Sequence, residues 1–132
     1  MDLHLLWAAL IGAVLGSLAD WLFAGVLFHG RYNLHPEVWR PGAGAVRSRI
    51  VLAQLLALVT AAAFVGLAWK LHQVDYVGAF KLAAMIWLIG PLPLLLANAL
   101  FIKIDPLVTA SHAAGWLAKL LLIAAATAWM IS

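Results

Sequence analysis

The run LHLLWAALIGAVLGSLADWLFAGVLF, residues 3–28, decides the fold class of this chain. It holds one formally charged residue, Asp20. It is long enough to cross a bilayer, because about 20 helical residues at about 1.5 Å each span a hydrocarbon core of roughly 30 Å. The run is continuous and does not alternate, so it predicts a helix and not a barrel strand. No positive residue precedes it and it continues past Ala19, so we expect an uncleaved membrane helix and not a signal peptide.

Three further apolar runs follow, over residues 50–69, 78–102 and 107–131. Of the 132 residues, 67% are hydrophobic and only 10% are charged, whereas about a quarter of a soluble domain is charged. Such a chain has too little polar surface for water, so the lipid bilayer is its expected solvent. The sequence predicts an all-α fold, a single domain over residues 1–132 that forms an integral membrane bundle of four transmembrane helices.

Positive charge is concentrated on one side of this predicted bundle. The first and third connections carry Arg31, Arg40, Arg47, Arg49 and Lys103, whereas the other side carries Lys70 and Lys81. The positive-inside rule then places the long loop, residues 29–49, in the cytoplasm and both termini outside. The net charge of +3 therefore indicates membrane orientation and not a nucleic-acid partner.

Polar side chains occur inside all four apolar runs. They are Ser17, Asp20, Gln54, Asn98, His112 and Lys119. Counting helical rise places most of them in the cytoplasmic half, with Lys119 nearer the midplane. Charged groups at such depths are costly and are usually paired or functional. We therefore expect these residues to form an intramembrane polar site.

The helix faces favour the same site. On the first helix Gly12, Gly16 and Asp20 recur at a spacing of four, and a Gly-x-x-x-Gly pair permits close helix approach. On the fourth helix His112 and Lys119 share one stripe. We expect the face of Asp20 to pack against another helix, and Ser17, one turn away, to be placed to donate a hydrogen bond there.

Two interpretations of Asp20 and Lys119 stay open at this stage. They form an interhelical ion pair that fixes packing, with His112 and Asn98 satisfying the remaining polar groups. Alternatively, they belong to a proton- or ion-coupled site or to a pocket for a small substrate. The sequence also allows the two charges to lie apart.

Gly90-Pro91-Leu92-Pro93 lies at the centre of the third run. Each proline lacks an amide donor and clashes with the carbonyl four residues earlier, so the pattern predicts a kink or a break of the helix. Broken helices at the midplane form sites in transporters. Kinks also occur in membrane helices that have no transport role.

Few signatures of cofactor or enzyme chemistry are present. The chain has no cysteine, and His29, His35 and Glu37 in the long loop match no recognised metal spacing. His112 is a candidate proton relay, but no second histidine lies at its level to complete a bis-histidine haem site. There is no phosphate loop, serine elbow or metalloprotease motif. No metal or cofactor is expected, and an enzymatic role is disfavoured.

The first helix ends in Asp20-Trp21-Leu22-Phe23-Ala24-Gly25-Val26-Leu27-Phe28-His29-Gly30, Trp39 follows, and Asn98-Ala99-Leu100-Phe101 precedes a helix with Gly115-Trp116. Over nearly the whole chain these stretches resemble a small four-helix bacterial membrane family, catalogued as domain of unknown function number seventeen-sixty-one. That family has a Trp-Tyr-x-x-x-Leu-Phe-Gly-like stretch here, from which the chain departs at Leu22 and His29. The resemblance implies an integral protein of a bacterial inner membrane, and it implies no activity for any residue.

Three functions follow from these observations. The first is a small transport or channel-like protein that acts as a homo-oligomer, with Asp20, His112 and Lys119 as its polar site and Pro91/Pro93 as its flexible element. The second is a structural or accessory subunit of a larger membrane complex that docks through residues 32–40. The last is an intramembrane enzyme that acts on lipid with His112 as base.

Overall fold

A computed structural model describes residues 2–38 and 47–132. Within these residues the chain is helical and contains no strand. Four of its helices are long and apolar enough to cross a membrane, which is compatible with an integral membrane protein. Trp39, which is part of the family resemblance, and Arg40, which belongs to the predicted docking segment, lie outside the described residues.

The helices follow the expected order. They are α1 (Leu3–Asp20), a π-helical segment (Trp21–Leu27), α2 (His29–Asn33), a 3-10 turn (Pro36–Val38), α3 (Arg47–Lys70), α4 (Tyr76–Ile89), α5 (Pro91–Phe101) and α6 (Pro106–Ile131). The apolar helices are Leu3–Leu27, α3, the α4–α5 pair and α6. Part of the expected long loop is thus helical, because α2 lies inside it and α3 begins at Arg47 rather than Ile50.

Helix α6 is the centre of the bundle. It packs against α1, α4, α5 and α3, and α1 packs in addition against α3. The shared core is built mostly from small residues, so the helix axes approach closely. Fully buried members are Ala61, Ala68, Ala79, Ala83, Ile123 and Ala124. Large apolar side chains instead cover the outside, which is compatible with a lipid environment; examples are Val14, Leu18, Leu55, Val59, Leu88 and Leu122.

Glycines set the distance between α1 and α6. A Cβ atom added at Gly12 would lie 3.3 Å from Ile123 Cγ2, and one added at Gly16 would lie 3.1 Å from Lys119 Cγ. Residue numbers rise along α1 as they fall along α6, so the two helices run antiparallel. The small stripe on α1 therefore brings the face of Asp20 against α6.

The first apolar helix changes geometry directly after Asp20. Residues Trp21–Leu27 are π-helical, and the amide of Phe28 donates to Phe23 O at 3.1 Å, five residues back. π-Helical turns are rare and occur frequently at functional sites. Here the wider turn carries Phe23 toward α6, where the Cβ position of Gly115 lies 3.4 Å from its ring.

The third apolar helix is interrupted at Gly90. Helix α4 ends at Ile89, Gly90 has a non-helical ψ of −82°, and α5 begins at Pro91. Pro91 occupies a first-turn position, where the missing amide costs no intrahelical hydrogen bond. Just before the break, Trp87 Nε1 donates to Ala113 O of α6 at 2.8 Å. The break is therefore fixed against the central helix.

Two connections meet at one end of the bundle, which we call the α2 end. Arg31 lies in α2, and its guanidinium nitrogen is 2.9 Å from Asp105 Oδ2 in the turn between α5 and α6. Asp105 also caps α6, because its Oδ1 accepts from the amide of Leu107 at 2.7 Å. We call the opposite end, where Asp2 and Ser132 lie, the termini end.

Candidate functional site

An ion pair joins the first and last apolar helices. Lys119 Nζ lies 2.7 Å from Asp20 Oδ2. The lysine side chain is 9% exposed and the aspartate side chain is 50% exposed. The pair is thus asymmetric, since the cation is buried in the bundle and the carboxylate faces outward.

Neighbouring residues hold the lysine in place. Its ammonium group lies 4.4 Å from the centroid of the Trp116 ring, a cation–π distance. Its aliphatic stem passes over Gly16, where the missing side chain makes room for it. The sequence analysis left open whether the two charges touch, and the structure brings them together.

A pocket of about 210 Å³ opens beside Asp20. Its lining residues come from α1, the π-helical segment, α2 and α6: Asp20, Phe23, Ala24, Tyr32, Ser111, His112, Gly115 and Trp116. The lining combines polar and charged side chains with aromatic ones. The volume is small, so the pocket suits an ion, a few water molecules or a small solute.

Tyr32 forms the wall of this pocket on the α2 side. Its ring stacks on His112 with centroids 5.5 Å apart, and its hydroxyl donates to Ser111 Oγ at 3.2 Å. Ser111 in turn donates to Phe23 O at 3.5 Å. Burial raises the pKa of the Tyr32 phenol, the Ser111 hydrogen bond partly offsets this, and the charge of Asp20 adds to the rise. The phenol is therefore a neutral donor at physiological pH.

Toward the termini end the helices close. Ala61 and Ile123 are fully buried, and both lie against the Cβ position of Gly12. Phe64 and Leu120 pack into the same apolar cluster. The polar pocket thus lies on the α2 side of a tightly packed apolar layer.

The other expected polar residues are not gathered in this pocket. Ser17 donates to Gln54 Oε1 at 2.6 Å and not to Asp20, so these two residues form a separate pair between α1 and α3. Asn98 is half-buried on α5 and does not line the pocket. The polar residues that were expected to form one site therefore form two separate groups, the Asp20 pocket and the Ser17–Gln54 pair. Asn98 belongs to neither group.

A second charged cluster lies at the α2 end. Asp105 Oδ2 accepts from Arg31 and lies 3.0 Å from His35 Nε2, while His35 Nδ1 lies 3.4 Å from Glu37 Oε1. Partial burial alone would raise the pKa of Asp105. The hydrogen bonds from Leu107 and His35 and the charge of Arg31 outweigh it, so the pKa lies below its ordinary value.

His35 and Glu37 do not form a metal site with His29 in the described chain. No group of three His, Asp or Glu side chains there could hold a metal ion. The two ring nitrogens of His35 face different carboxylates, an arrangement that bridges two acids and does not chelate one cation.

Six of the eight residues that line the pocket do not belong to the polar site predicted from the sequence: Phe23, Ala24, Tyr32, Ser111, Gly115 and Trp116. Ser111 directly precedes His112, and Tyr32 lies in a loop expected to have no helix. The one sequence signal for these pocket residues was the aromatic-rich end of the first helix.

No protein-family model, curated protein or solved structure matches this chain.

Proposed function

We propose that this chain is a small membrane transport protein that moves protons or a small cation through the pocket beside Asp20. The observation that carries the proposal is the half-exposed carboxylate of Asp20, which contacts a buried lysine on one side and lines a polar pocket on the other. Ionisable groups inside a membrane bundle mark ion and proton pathways.

The pair is suited to exchange. One Asp20 oxygen is bound to Lys119, so a proton or cation that enters the pocket competes with the lysine for the carboxylate. His112 and Tyr32 line the same space and can pass a proton toward it. A purely structural pair has no need of a pocket or of a half-exposed acid.

The apolar layer of Gly12, Ala61 and Ile123 closes the route toward the termini end in this conformation. Transport therefore requires a second state in which α1 and the α4–α5 helix move relative to α6. The break at Gly90 and Pro91 supplies an element that can bend. A bundle of four helices encloses little space alone, so we propose a homo-oligomer. We also propose that residues 29–49 face the cytoplasm and both termini face outside.

The test is a flux measurement on purified protein in liposomes that contain a pH-sensitive dye or, in parallel samples, a sodium-sensitive dye. A potassium gradient with valinomycin sets the membrane potential, and proton or sodium gradients are imposed in turn. Wild-type protein should dissipate at least one gradient faster than empty liposomes. Asp20→Asn should lose this activity.

A double variant keeps the test decisive if Asp20→Asn fails to fold. Asp20→Asn with Lys119→Met removes both charges and leaves no buried ion uncompensated. It should fold and carry no flux. Asp75→Asn, at the cap of α4 on the termini end, is the matched control and should retain flux. Wild-type flux equal to that of empty liposomes, for protons and sodium, contradicts the proposal.

A second candidate is a structural or accessory subunit. It is favoured by the close fit of Gly16, Lys119 and Trp116, which fixes the packing of α1 against α6. This role predicts that Gly16→Leu abolishes copurification of foreign subunits from native membranes, and that charge-neutral variants of the pair leave the complex intact. The transport role predicts instead that the charge-neutral variants of the pair lose flux.

A lipid-modifying enzyme is the weakest candidate. Ser111, the hydroxyl nearest His112 in sequence, is fully buried and already engaged with Tyr32 and Phe23. It is therefore not presented as a nucleophile. Membership of the family named in the sequence analysis is likewise a proposal, and it carries no activity.

A further inference from the structure

Helix α2 links the pocket to the charged cluster at the α2 end. Adjacent residues of this helix face both: Tyr32 lines the pocket, and Arg31 binds Asp105. We propose that α2 is a lid over the Asp20 pocket and that the contacts of Arg31 and His35 with Asp105 form the latch that holds it closed. This inference rests on the proposed function, because it concerns the regulation of the same site.

The lid has few attachments of its own. It is five residues long, too short for an independently stable helix. It is joined to the π-helical segment at Phe28, whose φ of −117° and ψ of 13° are not helical. Its position therefore depends on side-chain contacts with α6 and the turn before it.

Helix α2 makes two kinds of side-chain contact with α6 and with the turn that precedes it. On the pocket side the ring of Tyr32 stacks on His112 and the hydroxyl binds Ser111, and these neutral contacts are individually weak. On the other side Arg31 and His35 converge on a single carboxylate oxygen of Asp105, and hydrogen bonds to a charged group are stronger. The Asp105 side chain is 7% exposed, so solvent screens this contact little.

Asp105 is a suitable anchor because α6 fixes it. Its other oxygen accepts from Leu107 at the start of α6, and that helix is the centre of the bundle. The latch thus ties the short helix α2 to the central helix of the bundle. Breaking it removes the charged contacts on the Asp105 side and leaves the stacking on His112 and the hydrogen bond to Ser111 in place.

The experiment measures lid position and flux in the same variants. The chain has no cysteine, so Asn33→Cys on α2 and Ala110→Cys on α6 give two unique, exposed sites for spin labels. Electron–electron distance measurement in nanodiscs should show one narrow distance when Asp105 is present. Asp105→Asn keeps the helix cap, since Asn is as good a cap as Asp, and removes the charge. It should raise the share of a longer distance by roughly fivefold, in proportion to the loss of the charged hydrogen bonds.

Arg31→Gln provides a second break of the latch should Asp105→Asn not fold, and Asp75→Asn is the matched control, which should leave the distance unchanged. In liposomes both latch variants should raise the flux by a similar factor. An unchanged distance distribution in both variants overturns the lid, and so does a longer distance without any change of flux. Absence of flux in the wild type overturns the proposed function instead, and the distances still decide whether α2 is latched.

Discussion

Lys119 and Asp20 form an ion pair at 2.7 Å in which the cation is buried and the anion is half exposed. The difference matters because an uncompensated buried charge is far more costly than an exposed one. Asp20 could meet water or lipid headgroups without its partner, whereas Lys119 lies between Gly16 and Trp116 and has no such outlet. The two residues are therefore not equivalent for stability.

Removal of Asp20 should destabilise the fold more than removal of Lys119. Asp20→Asn leaves the buried ammonium group without its counter-charge, and because Asp20 itself is half exposed, the cost should be smaller than the roughly 3–5 kcal/mol of a fully buried pair. Lys119→Met replaces the lysine with an apolar chain of similar length and should change the free energy of unfolding by about 1 kcal/mol or less. Unfolding in mixed micelles, followed by tryptophan fluorescence, measures both.

Lys81→Met is the matched control for the lysine variant, because Lys81 is exposed on α4. The double variant Asp20→Asn with Lys119→Met should recover most of the stability that Asp20→Asn loses. Equal losses for the two single variants would show that Lys119 is not buried as described here.

Two glycines test the close approach of α1 and α6. A Cβ atom at Gly16 would lie 3.1 Å from Lys119 Cγ, whereas one at Gly66 of α3 would meet nothing within 4 Å. Gly66→Ala should stabilise the protein by about 0.5–1 kcal/mol through helix propensity. Gly16→Ala gains the same propensity but forces the lysine stem to move, so it should be destabilising by about 1 kcal/mol. The measured quantity is the change in the free energy of unfolding, which should have opposite signs in the two alanine variants.

The four apolar helices could be predicted because burial in lipid depends on run length and composition alone. Their lateral arrangement could not. Depth along a helix follows from counting residues, but rotation about the axis is decided by packing. The sequence therefore predicted one polar site that includes Asp20, Gln54 and Asn98, whereas Gln54 pairs with Ser17 and Asn98 does not line the pocket.

The pocket wall could not be predicted for a different reason. Tyr32 stacks on His112 from α2, and Arg31 of the same helix contacts Asp105, so both contacts join residues far apart in the sequence. Asp105 caps α6, and its second role as the partner of Arg31 and His35 depends on packing that the sequence does not indicate. The π-helical segment after Asp20 also has no recognisable sequence signal. By contrast, the break at Gly90 is local chemistry, because Pro91 has no amide hydrogen.

Trp87 should stabilise the break in the third apolar helix. Its indole nitrogen donates to Ala113 O at 2.8 Å from a half-buried position just before Gly90. Trp87→Phe keeps most of the apolar contact and removes the donor, so it should cost about 1 kcal/mol of unfolding free energy. The same substitution at Trp129, which is 67% exposed at the termini end, should cost less than half of that. Equal effects at both positions would mean that the hydrogen bond contributes nothing.

Asp105 should make stability depend on pH at the acidic end. Its pKa is lower in the folded protein than its ordinary value of about 4, because the hydrogen bonds and the charge of Arg31 outweigh burial. A carboxyl with a depressed folded pKa contributes stability above its ordinary pKa and loses it as the pH falls through the folded value. The difference in unfolding temperature between wild type and Asp105→Asn should therefore be constant from pH 7 to about pH 5 and shrink below about pH 4.

Taking the difference between the two unfolding temperatures removes the acid sensitivity that the two proteins share, and the helix cap is the same in both. A difference that persists unchanged down to about pH 3 would show that the Asp105 charge does not stabilise the α2 end, since the carboxyl of the unfolded chain is protonated below about pH 4.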